Sequence, residues 1–280
     1  MREVAIVGAG ELGGLLAHVL ARRSVASEIR LVDEADRVAA GKALDIAQAA
    51  PIEAFGTELR GAADLAAIGG ARIVAIADRP GGVEWQGDDA LMLLERIGRL
   101  ARHAIVVCAG ASHRELVDRG VRELHIGRAR LLGSAPEALV GGARAIVALE
   151  TDGSPRDVAL SVLGVPPHHV VIPWEDATVG GFAVARLLDE PSRRRIERRV
   201  AALWPPGPYA LAAAAAKVIE SLLGHSRQMA ACFVAPDDSS GVRARTAAMP
   251  VRLGPGGVAK VILPPLTTRE QVALENAMML

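Results

Sequence analysis

Aromatic side chains are scarce in this sequence, at 2% of 280 residues, with a single tyrosine. Half of the chain is nevertheless apolar, at 51%, which excludes a disordered polypeptide. Alanine, valine and leucine must therefore build the core through many small contacts. Cysteine is nearly absent, and Cys108 and Cys232 sit in apolar runs without metal-ligand spacing. The expectation is a reduced, cytoplasmic protein with neither a disulfide framework nor a metal site. No charge predominates, since Lys plus Arg and Asp plus Glu number 32 each. That balance excludes the electrostatic signature of a nucleic-acid or membrane-surface binder. The basic run Arg193, Arg194, Arg195, Arg198 and Arg199 has Glu190 and Glu197 among it, as on a solvated helix face. No apolar run reaches roughly 18 uninterrupted residues, so no membrane span is expected. The opening MREVAIVGAGELGGLLAHVL is broken by glycines and Glu11. It reads as strand, turn and helix rather than as a signal peptide.

What is present is alternation. Expected strands are Glu3–Val7, Glu28–Val32, Glu58–Arg60, Arg72–Ala77 and Ala104–Cys108, with helical runs at Glu11–Arg23, Ala35–Ala49 and Asp88–Ala101. This is the pattern of a parallel sheet wrapped by helices. After about Arg130 the pattern changes. A helix over Pro136–Ala148 leads to strands at Val158–Leu163 and Val170–Ile172, then to Arg-rich and Ala-rich helices. Three β runs follow at Gln228–Val234, Arg243–Leu253 and Val258–Leu263, the last two joined by the hairpin signal Gly254–Gly257. A final helix, Thr267–Met279, opens with a threonine cap and Glu270, a capping box. The expected fold class is α/β, a doubly wound parallel sheet in residues 1–130 followed by an α+β unit in residues 131–280.

The strongest motif is VAIVGAGELGG, Val4 to Gly14. Gly8, Gly10 and Gly13 form G-x-G-x-x-G between an expected strand and an expected helix. One glycine makes the tight turn, one admits a diphosphate close to the backbone, and one lets helix and strand pack. The helix amino-terminus then offers unpaired N–H groups and a positive dipole end. The second strand ends in Asp33, 20 residues after Gly13, where a carboxylate can accept from a ribose hydroxyl. An acid there favours NAD over NADP, whose phosphate it would repel. Glu11, Leu12 and Ala77 complete the candidate dinucleotide contacts. The negative charge of Glu11 near the diphosphate predicts modest affinity. The plainer reading is a turn that uses its glycines only for packing.

In these stretches the chain resembles the L-lactate/malate dehydrogenase family, and the likeness covers nearly all of it. It is carried by IVGAGELGG, by LVDEADRVAAGKALDIAQAAPIEAFGTELRG and by the VLG at Val162–Gly164. It continues through PYALAAAAAKVIESLL and MPVRLGPGGVAKVILPPLTTREQVALENAM. The resemblance implies a Rossmann half, a substrate half, NAD as cofactor and a homo-oligomer, dimer or tetramer. It also implies a catalytic set: a histidine with its aspartate, an arginine that clamps the substrate carboxylate, arginines on a mobile loop, and an asparagine after the fifth strand.

The sequence departs from that set. The histidine position falls on Pro166 or Pro167, with His168 and His169 just beyond it. The helix that carries the aspartate and arginine reads Leu139-Val140-Gly141-Gly142, and Glu137 and Arg144 are each displaced by two residues, about 200° of helix. Both mobile-loop arginine positions are glycines, Gly81 and Gly87, with Arg79 and Trp85 nearby. The run after the fifth strand is Cys108-Ala109-Gly110-Ala111-Ser112, and the sole asparagine is Asn276. Three readings follow. The first is an NAD-binding relative without lactate or malate turnover. The second is an active oxidoreductase on another substrate, with His168 or His169 as the acid/base and Glu175 or Asp176 as a partner. The third is a structural oligomer that binds no nucleotide, favoured by Glu11 and by Asp78 at the expected cofactor edge.

Overall fold

The computed structural model describes residues 2–237 and 244–280. Arg243, at the start of one expected strand, lies outside the described residues. The chain begins with β1 (Glu3–Val7), α1 (Glu11–Arg22), β2 (Glu28–Val32), α2 (Asp36–Glu53) and β3 (Glu58–Ala62). A 3-10 turn leads to β4 (Ile73–Ile76) and a small hairpin, β5 (Asp78–Arg79) with β6 (Val83–Glu84). Then come α3 (Gly87–Leu100), β7 (Ile105–Cys108), α4 (Arg114–Arg122) and β8 (Leu131–Gly133). They are followed by α5 (Ala135–Glu150), β9 (Val158–Ala159), β10 (Leu163–Val165) and β11 (His169–Val171). Two short strands, β12 (Thr178–Val179) and β13 (Phe182–Ala183), precede α6 (Val184–Leu187), α7 (Glu190–Ala201) and α8 (Pro208–Leu222). The last elements are β14 (Ala230–Val234), β15 (Ala247–Gly254), β16 (Gly257–Val261) and α9 (Thr268–Met278).

Six strands pair in parallel in the order β3-β2-β1-β4-β7-β8. Counting only those six, the order is 3-2-1-4-5-6, the doubly wound arrangement, and the strand order reverses between β1 and β4. From β8 the same sheet runs on antiparallel through β14, β15 and β10 to β11. The pairing changes direction at β8, which is parallel to β7 on one side and antiparallel to β14 on the other. The central strands read VAIV, IVAI and IVVC because helices cover both faces, and all twelve of those side chains are buried. Large buried aromatics are few, as composition demands. Phe233 meets Trp204 edge-on at 5.9 Å, and most other core positions are aliphatic.

Several elements differ from expectation. Val158–Leu163 is not one strand: β9 belongs to a small three-stranded sheet, while β10 joins the main sheet. Helix α2 runs past Ala49 to Glu53 with Pro51 inside it. Proline is tolerated there because only the last turn loses a hydrogen bond. The capping box of α9 is present in full, and Gly254 pairs with Gly257 across the expected hairpin turn.

Candidate functional site

The glycine-rich turn lies at the switch point between β1 and β4, where α/β sheets bind ligands. Gly8 has φ +106°, and a Cβ there would sit 2.4 Å from the Asp78 carbonyl oxygen. A Cβ on Gly13 would lie 2.0 Å from the Gly8 carbonyl oxygen, so only glycine lets α1 leave the turn. Leu12 and Ala77 are buried beneath this turn, and Glu11 is exposed in the first turn of α1. The Asp33 carboxylate accepts from the Ala9 amide at 2.8 Å and from the Ala35 amide at 2.9 Å. It thereby ties the turn to the end of β2. Asp33 also lines a cleft of about 380 Å3 with Val32, Asp64, Leu65, Arg79 and Trp85.

A second carboxylate reaches the turn. Asp78 directly follows the β4 edge and is 4% exposed. Its backbone carbonyl accepts from the Gly10 amide at 2.9 Å, and its Oδ1 accepts from the Gly13 amide at 3.0 Å. The whole carboxylate lies against Gly10, whose Cβ would come within 2.4 Å of both oxygens. Thus the turn is filled from within, at the helix end where a diphosphate would be received. Lys42, on α2, donates its ammonium to the Gly10 carbonyl and brings a cation to the same place.

The segment after Asp78 folds down onto the sheet. Gly81 and Gly82 have left-handed φ, which permits the tight β5–β6 hairpin, and Gly87 has it at the start of α3. Arg79 stacks over Trp85 at 4.4 Å rather than reaching outward. Glu84 enters the turn after β7 and accepts from the Ala111 amide at 2.9 Å and the Ser112 amide at 2.8 Å, with the Ser112 hydroxyl as a third donor. Burial works to raise the Glu84 carboxyl, but the Ser112 donors and the Ala111 amide hold it below the usual carboxylate range. His113 is fully buried, and its Nδ1 accepts from the Gly110 amide at 3.0 Å. Burial pushes its imidazole below the ordinary value, against the pull of Glu84. The neutral ring therefore carries its proton on Nε2, which is buried without a partner. A Cβ on Gly110 would meet both Glu84 and His113.

The candidate catalytic loop is different in kind. Both His168 and His169 are exposed, at and beside the start of β11, and among the described residues neither imidazole makes a hydrogen bond or ion pair. Pro166 and Pro167 occupy the preceding turn. Glu175 faces Arg193 of α7 at 3.8 Å. Glu137 is buried, accepting from the Lys217 ammonium and from the Ala231 amide at 2.8 Å. Arg144 donates to the Pro155 and Arg156 carbonyls on the surface. Both residues thus have structural partners. The arginine-rich helix is a solvated face, where Arg195 and Arg199 pair with Glu150 and Arg194 with Glu190. Cys108 and Cys232 are free and buried, and burial pushes the Cys108 thiol up to about 12. Among the described residues no helix is long and apolar enough to cross a membrane.

Of the residues that organise this cleft, Glu84, His113 and Lys42 carried no signal in the sequence. Asp78 had one, its place at the end of the fourth strand.

An open sheet in doubly wound order, with a glycine-rich turn at the switch point and an acid ending β2, defines a dinucleotide-binding α/β fold. Residues 2–90 match the lactate/malate dehydrogenase, NAD binding domain. A malate dehydrogenase from Thermomicrobium roseum is 28% identical over 99% of this chain and 94% of its own length. Among solved structures, the malate dehydrogenase from Salinibacter ruber superposes with a TM-score of 0.88 at 26% identity, covering 98% of this chain and 93% of that one. The lactate dehydrogenase from Cryptosporidium parvum shares the fold, with a TM-score of 0.89 at 21% identity over 99% of this chain and 94% of its own. The chain is thus similar to lactate and malate dehydrogenases over nearly all of its length, and its amino-terminal residues match that family's NAD binding domain, with NAD as the dinucleotide.

Proposed function

We propose that the protein is a NAD(H)-binding oxidoreductase by descent that does not turn over lactate or malate by the family's usual chemistry. The observation that carries this reading is the segment 78–87. Both positions expected for mobile-loop arginines are glycines in left-handed backbone, and Glu84 is fastened into the turn after β7. A 2-oxo acid needs a bidentate counter-charge. Arg79, the arginine nearest that position in sequence, is stacked on Trp85. The exposure of His168 and the structural partners of Glu137 and Arg144 favour the same conclusion.

On the cofactor side, Asp33 would accept from the adenosine ribose, with Val32 and Leu65 as apolar walls of the cleft. Bound NAD supplies hydride exchange at its nicotinamide. The Asp78 carboxylate does not fit a diphosphate on the glycine turn. We expect a homo-oligomer, dimer or tetramer, in the cytoplasm. The exposed apolar Leu44 and Ile52 of α2, at 61% and 86%, suit a surface covered by a second copy.

The test is NADH titration followed by turnover assays. Saturable NADH binding is expected, with no oxaloacetate- or pyruvate-dependent oxidation of NADH above buffer. Saturable turnover of either acid would overturn the reading. A screen of other hydroxy acids and neutral alcohols addresses the alternative in which His168 or His169 acts as the acid/base. Activity that one of the changes His168→Ala or His169→Ala abolishes would establish that alternative.

A further inference from the structure

We propose that the Asp78 carboxylate is a built-in occupant of the diphosphate seat, so that NAD binds only by displacing it. This rests on the reading that the cleft takes a dinucleotide. A helix amino-terminus opened by glycines receives an anion through its backbone amides. Here an anion is already there: Asp78 Oδ1 holds the Gly13 amide at 3.0 Å, and both oxygens crowd Gly10. Gly10 is the position where a side chain would bar a diphosphate, and the carboxylate fills the space that the missing Cβ leaves. The two anions need the same volume and repel each other across it.

The neighbouring groups explain how such an occupant can be held and yet yield. Asp78 opens a segment that closes with Glu84, whose carboxylate takes the Ala111 and Ser112 amides at the end of β7. One segment therefore places a carboxylate in each of two amide turns and spans the crevice between them. The fit is incomplete. Arg79 Nε, Trp85 Nε1 and His113 Nε2 are all buried donors without acceptors, and such donors regain partners when water or a ligand enters. The cleft beside Asp33 remains open, at about 380 Å3. A nucleoside therefore meets no obstacle there, whereas a diphosphate does. The inferred consequence is that the protein gains little affinity from the diphosphate and binds adenosine and ADP-ribose almost alike.

The experiment is a calorimetric titration of adenosine, ADP-ribose and NADH into the full chain and into its Asp78→Asn and Asp78→Ala variants. Asparagine keeps an acceptor for the Gly13 amide, so it removes the charge while sparing the cap; alanine removes both charge and volume. Melting curves establish that each variant is folded. In the unaltered protein, ADP-ribose should bind within about threefold of adenosine. Both variants should bind ADP-ribose and NADH at least about tenfold more tightly, alanine the more so, with adenosine within about twofold. If the unaltered protein already prefers ADP-ribose by tenfold or more, or if folded variants leave the diphosphate ligands unchanged, Asp78 is no occupant. An equal gain for adenosine would also overturn the proposal, since the change would then have opened the cleft in general. If no ligand binds any of the three proteins, the nucleotide reading fails and this one falls with it.

Discussion

The two places where the sequence suggested chemistry have opposite physical character. At the crevice between β1 and β4, Asp33, Asp78 and Glu84 each accept backbone N–H groups in buried or part-buried positions. In the loop from Val162 to Pro173, His168 and His169 stand in solvent and hold nothing. The first region was recognised by spacing, the second by residue type. A glycine pattern states a backbone requirement, and the close approaches at Gly8, Gly10 and Gly13 meet it. A pair of histidines states only that a proton could be carried. It needs partners from elsewhere in the chain, and one neighbouring acid, Glu175, faces Arg193 instead.

The contrast can be attacked from both ends. The largest effect is expected at Gly13→Ala, whose new methyl would lie 2.0 Å from the Gly8 carbonyl oxygen. Overpacking against backbone should cost about 3 kcal/mol or more and remove NADH binding. Urea unfolding and a titration measure both, and a fully stable variant would show that the turn is looser than its geometry. A smaller effect concerns pH. His113 has its pKa lowered in the fold, so its contribution to stability is complete above the unfolded value of about 6.5. It is lost as pH falls from there through the folded value. The melting temperature should therefore decline between about pH 7 and pH 5, and less steeply in His113→Gln. Parallel curves would assign the acid sensitivity to other groups. The smallest effects belong to His168→Ala and His169→Ala, each within about 0.5 kcal/mol of the parent and without influence on NADH affinity. A tenfold loss in affinity at either would erase the distinction between the two regions.

How much was legible follows from the same difference. β1 and β2 match their expected limits because each is a short β-rich run closed by Gly8 or Asp33. Helix α4 was not anticipated. Six of its nine residues are charged or glycine, and it buries only Leu116, Val117 and Gly120. The β5–β6 hairpin was invisible because two residue pairs around a proline and two glycines leave no periodicity to read. Asp78 was noticed as an acid at the expected cofactor edge, yet its direction was not legible. Whether it pointed to solvent or into the turn depends on how the segment after β4 lies on α1, 65 residues earlier in the chain at Gly13.

By itself the sequence determined the alternation that makes a parallel sheet and the glycine turn at its switch point. These are properties of order and spacing along one chain, and local backbone chemistry reads them directly. Only the tertiary structure decided what fills the crevice. The Asp78 and Glu84 carboxylates find their amides across large sequence separations, and such pairing exists only once the sheet has brought β1, β4 and β7 side by side.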